Sequence, residues 1–74
     1  MTEMDTTRVG RMTRDLIAQD AFPVELVRVL HEASHWRVVV RDSSDRVFDI
    51  AVVDTATPKQ LRAHLREKLE EASA

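Results

Sequence analysis

Apolar positions along the chain fall into two rhythms, one near the period of a helix and one of strict alternation. Val9, Met12 and Leu16, with Thr13 and Ile17 beside them, recur at three- and four-residue intervals, the spacing that gathers side chains on one helical face. The pattern predicts a helix over about 7–19, weakened at Gly10 by ~1 kcal/mol relative to alanine. Asp20-Ala21-Phe22-Pro23 interrupts it, and Pro23 suits the first position of a new helix. Val24, Val27, Leu30 and Ser34, with Leu26 and Ala33 alongside, then form a second apolar stripe, opposed by Glu25, Arg28 and Glu32. A second helix over about 23–34 is expected, against the β-branched content of Val24, Val27 and Val29.

The rhythm changes at Trp36. Trp36, Val38 and Val40 alternate with Arg37, Val39 and Arg41, and Phe48, Ile50 and Val52 alternate with Val47, Asp49, Ala51 and Val53. Period-two patterns of β-branched and aromatic residues read as half-buried strands, and Asp42-Ser43-Ser44-Asp45 between them is turn chemistry. Paired residues share a face of a sheet, so the apolar faces must meet as 36 with 52, 38 with 50 and 40 with 48. That register demands an odd loop, of three or five residues. Trp36, the first inward residue of its series, is expected in the core rather than as a binding anchor.

Thr57-Pro58-Lys59-Gln60 carries a helix start: threonine at the N-cap, proline at the first helical position, and glutamine able to reach back to the cap. Leu61, Leu65, Leu69 and Ala72 make a narrow apolar seam on a helix over about 58–72. Glu70 and Glu71 at its end oppose the helix dipole and favour fraying. The order is α-α-β-β-α: an α+β fold, with residues 1–6 a loose tail and 7–74 one compact domain whose two-stranded hairpin is covered by helices on one face.

Composition narrows the function. At 74 residues, 43% hydrophobic and 32% charged, the chain is neither disordered by composition nor membranous. It has no stretch near the roughly 20 apolar residues of a transmembrane helix, and Met1–Asp5 lack the basic-then-apolar order of a signal peptide. With no cysteine, disulfides and thiolate metal sites are excluded, and a cytoplasmic setting is expected. A net charge of −2 argues against general nucleic-acid binding.

His31-Glu32-Ala33-Ser34-His35 matches H-E-x-x-H. On a helix the two imidazoles share a face and can clamp a zinc ion while the glutamate activates water, so His31 and His35 are candidate ligands and Glu32 a candidate base. The string resembles the zincin metallopeptidase signature, which implies a zinc-dependent hydrolase. The resemblance covers five residues and lacks a third ligand at a recognised spacing, with His64 the nearest histidine. The favoured reading makes the same histidines helix C-terminal residues suited to the dipole, with Glu32 paired to Arg28, and neither metal nor cofactor is expected.

Two basic rows follow helical spacing: Arg8, Arg11 and Arg14 on the first helix, and Lys59, Arg62 and Arg66 on the last. Rows of this kind can bind phosphates, and Lys59, Arg62 and Arg66 are the candidate nucleic-acid residues. Interspersed acids make a solvated face the simpler reading. A helix-turn-helix over residues 9–34 is a further possibility, opposed by Glu25 and Glu32 on its second helix. From Leu30 to Leu69 the helix, hairpin and closing helix are similar to the double-stranded-RNA-binding-like topology of HicA-type toxins. That similarity implies RNA as a partner, although the histidine those toxins use has no counterpart between Asp42 and Phe48.

With no complete catalytic constellation, the sequence reads as a non-enzymatic interaction or regulatory module that forms a homodimer. The surface expected to carry this is the outer face of the hairpin. Val47, Ala51 and Val53 are apolar there with only Asp49 polar, while Arg37 and Arg41 guard the first strand.

Overall fold

The computed structural model describes residues 4–73. Two helices and a three-stranded antiparallel sheet make up these residues, in the order α1 (Thr6–Asp20), β1 (Val24–Glu32), β2 (His35–Asp42), β3 (Val47–Val53) and α2 (Pro58–Ala72). The fold is thus a small α+β domain. Residues 1–3 of the expected tail lie outside the described residues. Asp5 already belongs to the fold, since its carboxylate accepts the Arg8 N–H at 2.9 Å and caps α1.

The expected helix over 23–34 is instead β1, and the sheet has three strands rather than two. β1 pairs antiparallel with β2, and a β-bulge interrupts its alternation. Leu26 pairs with Val40 and Arg28 with Val39, leaving Val27 as the extra residue. Before the bulge Val24 and Leu26 share the face of Val40; after it Val29 and His31 share the face of Val38 and Trp36. The helical stripe read at 24, 27 and 30 is therefore divided: Val24 faces inward, Val27 is the extra residue of the bulge, and Leu30 stands opposite Arg37 on the outer face. A helix-turn-helix over 9–34 is excluded with the helix it needed, and Leu30 lies in a strand rather than in the helix required by the likeness to HicA-type toxins.

The second hairpin has the register its alternation demands: Trp36 with Val52, Val38 with Ile50, Val40 with Phe48. The last ladder pair is Arg41 with Val47, leaving the five residues Asp42 to Arg46 between them. The Asp42 carboxylate accepts N–H bonds from Ser44 and Arg46 at 2.8 and 2.9 Å, and Asp45 takes the left-handed conformation at φ 64°. In contrast, β1 and β2 are joined by Ala33-Ser34 alone, with Ala33 at φ 50°, an uncommon conformation for alanine.

Both helices pack on the face of Trp36, Val38, Val40, Ile50 and Val52, to which α1 contributes Val9 and Leu16 and α2 contributes Leu61, Leu65 and Leu69. Trp36 is buried, as a core residue should be. The capping box of α2 is complete: Thr57 Oγ1 accepts from Gln60 N–H, and Gln60 Oε1 accepts from Thr57 N–H. At the other end Lys68 pairs with Glu71 at 3.3 Å, within a helix that runs to Ala72. No helix among the described residues is long and apolar enough to cross a membrane.

Candidate functional site

The H-E-x-x-H string spans the end of β1, the tight turn and the start of β2. His31 pairs with Trp36 and shares its inner face, whereas Glu32 and His35 pair with each other on the outer face. The imidazoles therefore point to opposite sides of the sheet, because four residues across a two-residue turn do not return to one face as they do on a helix. Each has other neighbours. His31 stacks on Trp36 with ring centroids 4.1 Å apart, and its Nε2 lies 2.9 Å from Asp54 Oδ2. Glu32 faces Arg37 Nε at 3.0 Å. His35 and His64 both border a cleft of about 380 Å³ at the end of β3. Among the described residues no three histidines, aspartates or glutamates are grouped to hold a metal ion.

The second α2 candidate set is partly committed elsewhere. Arg62 donates to Gln19 Oε1 at 2.7 Å and Arg66 meets Asp20 at 3.1 Å, so both tie α2 to the C-terminal end of α1. Of the three only Arg66 has a carboxylate partner; Arg62 is held by an amide, and Lys59 appears in no ion pair among the described residues.

The interaction residues are brought together. Val47, Asp49, Ala51 and Val53 share the outer face of β3, and Arg41, Val39, Arg37 and His35 stand beside them in order on β2. The neighbourhood differs from the sequence expectation, because β2 is central and β1 lies on its far side. Arg41 is hydrogen-bonded to Glu25 of β1, which raises the guanidinium pKa above its ordinary value, and Arg37 is paired with Glu32. These arginines thus brace the charged part of the outer face instead of guarding an edge. Beyond them Val47 is 58% and Val53 50% exposed.

The two sheet edges are unlike. β1 is broken by its bulge and carries Glu25, Arg28 and Glu32, all devices that discourage pairing with another strand. β3 pairs with β2 over seven residues without a bulge, and Asp49 is its one charge, with no proline or lysine. Two shallow clefts follow its free edge beside α2, one bordered by Phe48, Asp49 and Ile50 and the other by Ala51, Val52 and Val53. As the outer strand of the sheet, β3 leaves one side of its backbone without a strand partner among the described residues. No signal for this contrast existed in the sequence, where β1 read as a helix.

No protein-family model matches the chain, and neither a curated protein nor a solved structure matches it.

Proposed function

We propose that the protein is a small, non-catalytic interaction module of the cytoplasm, and that it self-associates by pairing β3 with β3 of a second copy about a two-fold axis. The observation that carries the reading is the regular, unguarded β3 edge with Val47 and Val53 exposed at its two ends. An antiparallel two-fold pairing must join residues of the same face. Full overlap of Val47–Val53 then centres the axis on Ile50 and sets Val47 against Val53 of the second copy. The two exposed valines become a β-branched cross-strand pair, a favoured kind of contact. Asp49 falls opposite Ala51 of the second copy, so the two aspartates avoid direct opposition. Arg37, the neighbour of Ala51, stands two strand spacings (about 10 Å) from that Asp49, and the small alanine leaves room for its side chain to reach over. The product is one six-stranded sheet with closed symmetry, the commonest oligomer arrangement.

Sedimentation equilibrium at high micromolar concentration tests this. The expected mass is twice the 8.5 kDa of one chain. Val47→Lys and Val53→Lys are expected to weaken association by about tenfold or more while the circular dichroism is retained. Val27→Lys, on the opposite edge and also exposed, is the control expected to change nothing. A monomer mass throughout would overturn self-association and leave β3 as the edge for a different extended partner.

A further inference from the structure

The ion-pair pattern divides eight of the nine arginines into two groups, the ninth, Arg62, being held by the Gln19 amide. Arg37, Arg41, Arg46 and Arg66 each lie within ion-pair distance of a carboxylate. Arg8, Arg11, Arg14 and Arg28 have no such partner among the described residues. Three of these sit along α1 and the fourth on β1, the strand that α1 packs against, so these four occupy one side of the molecule, apart from Lys59 and Arg62 on α2. Of the acids on the same stretch, Asp20 is engaged by Arg66 and Glu25 by Arg41, which leaves Asp5 and Asp15 against four guanidiniums.

Arg14 and Arg28 converge on a cleft of about 250 Å³ between α1 and the β1 edge, bordered also by Thr6, Thr7, Gly10 and Leu26. The bulge at Val27 contributes directly. In an unbroken alternation Arg28 would follow Leu26 onto the inner face, under α1; the bulge turns it to the exposed side, where it borders the cleft. Gly10 adds no side chain to the cleft wall. Two exposed guanidiniums with two hydroxyls offer several donors to one oxyanion, and guanidinium suits phosphate oxygens through its planar fork. Arg8 and Arg11 continue the charge along the exposed side of α1 for further phosphates.

We propose that the α1–β1 side binds the phosphodiester backbone of a nucleic acid, with Arg14 and Arg28 holding one phosphate in the cleft and Arg8 and Arg11 contacting its neighbours. A row of cations fits a chain of phosphates better than a single small anion. The surface lies at the opposite edge from β3, so it remains open in the self-associated form. It is also distinct from the α2 row, where Arg62 and Arg66 are already engaged.

Fluorescence anisotropy of a labelled 16-base-pair DNA duplex, titrated at low and moderate salt, tests the proposal, with the matching RNA duplex as a second probe. Salt-dependent binding is expected. Arg14→Gln and Arg28→Gln should each weaken it roughly tenfold. Each should also lower the slope of log affinity against log salt for the DNA by about 0.9. Lys59→Gln is expected to bind as the parent does. Circular dichroism of each variant confirms that it is folded. Binding that is absent at low salt for both probes, or that survives both arginine changes, or that falls equally with Lys59→Gln, overturns the assignment. Inorganic phosphate that shifts the NMR signals of Arg14 and Arg28 while neither duplex binds would also overturn it, reducing the cleft to a small-anion site. Val47→Lys and Val53→Lys are expected to leave duplex affinity per chain unchanged, so failure here is separable from failure of self-association.

Discussion

Gly10→Ala is expected to stabilise the protein. Gly10 lies inside α1, buried, and its backbone does not have the positive φ that would require glycine. Glycine in a helix interior is less favourable than alanine by about 0.8–1 kcal/mol, because it loses more backbone freedom on folding. The added methyl would meet Leu26 Cδ2 and Val29 Cγ2 at 3.6 Å each, ordinary van der Waals contact. No neighbour has to move, so the helix term stands undiminished and the methyl gains burial worth up to ~0.8 kcal/mol. The sum is about 1–1.5 kcal/mol of stabilisation, which for a domain of this size raises the melting temperature by roughly 4–10 °C. Urea melts should show a higher midpoint at an unchanged slope, the signature of altered stability without altered compactness. A variant that is destabilised would refute the reasoning, since it would mean that α1 packs closer to β1 than 3.6 Å allows. The same result would weaken the cleft proposed beside Gly10.

Further outcomes concern α2 and the second hairpin turn. Thr57→Ala should cost ~1 kcal/mol through loss of the cap, and Leu65→Ala, fully buried, on the order of 2–5 kcal/mol. Urea denaturation of both variants decides the order, and a more damaging Thr57→Ala would mean that α2 does not bury its leucine seam. The Asp42 carboxyl is held below the ordinary aspartate range, first by the Arg46 N–H, then by the Ser44 N–H and the Arg46 guanidinium, against the opposing effect of partial burial. A lowered folded pKa gives stability that is present above the unfolded value near 4 and is lost as pH falls through the folded value. Asp42→Asn should therefore narrow its stability gap to the parent below about pH 4, and parallel stability curves between pH 7 and 2 would contradict the assignment.

The second hairpin and the last helix were legible in the residues alone because their signals are local. Alternation fixes which side chains share a face, the face fixes the register, and the register fixes an odd loop, all within Trp36 to Val52. The capping box is likewise a contact among four consecutive residues. What only tertiary structure decided is the state of residues 24–32. Their intervals fit a helix as long as Val27 is counted in phase, and the bulge that removes it from phase exists only against β2. The turn after it, Ala33-Ser34, carries no residue that announces a left-handed φ. Once this segment is a strand, the other differences follow. His31 and His35 part to opposite faces, Arg37 and Arg41 find Glu32 and Glu25, and β3 becomes the unguarded edge. Ion pairing is as non-local as strand pairing. Nothing in the spacing of Arg62 and Arg66 foretells Gln19 and Asp20, or that Arg14 and Arg28, fourteen positions apart, border one cleft. Local periodicity sets which face a side chain takes within an element, whereas its partner depends on which elements meet, and that is settled only when the chain closes on itself.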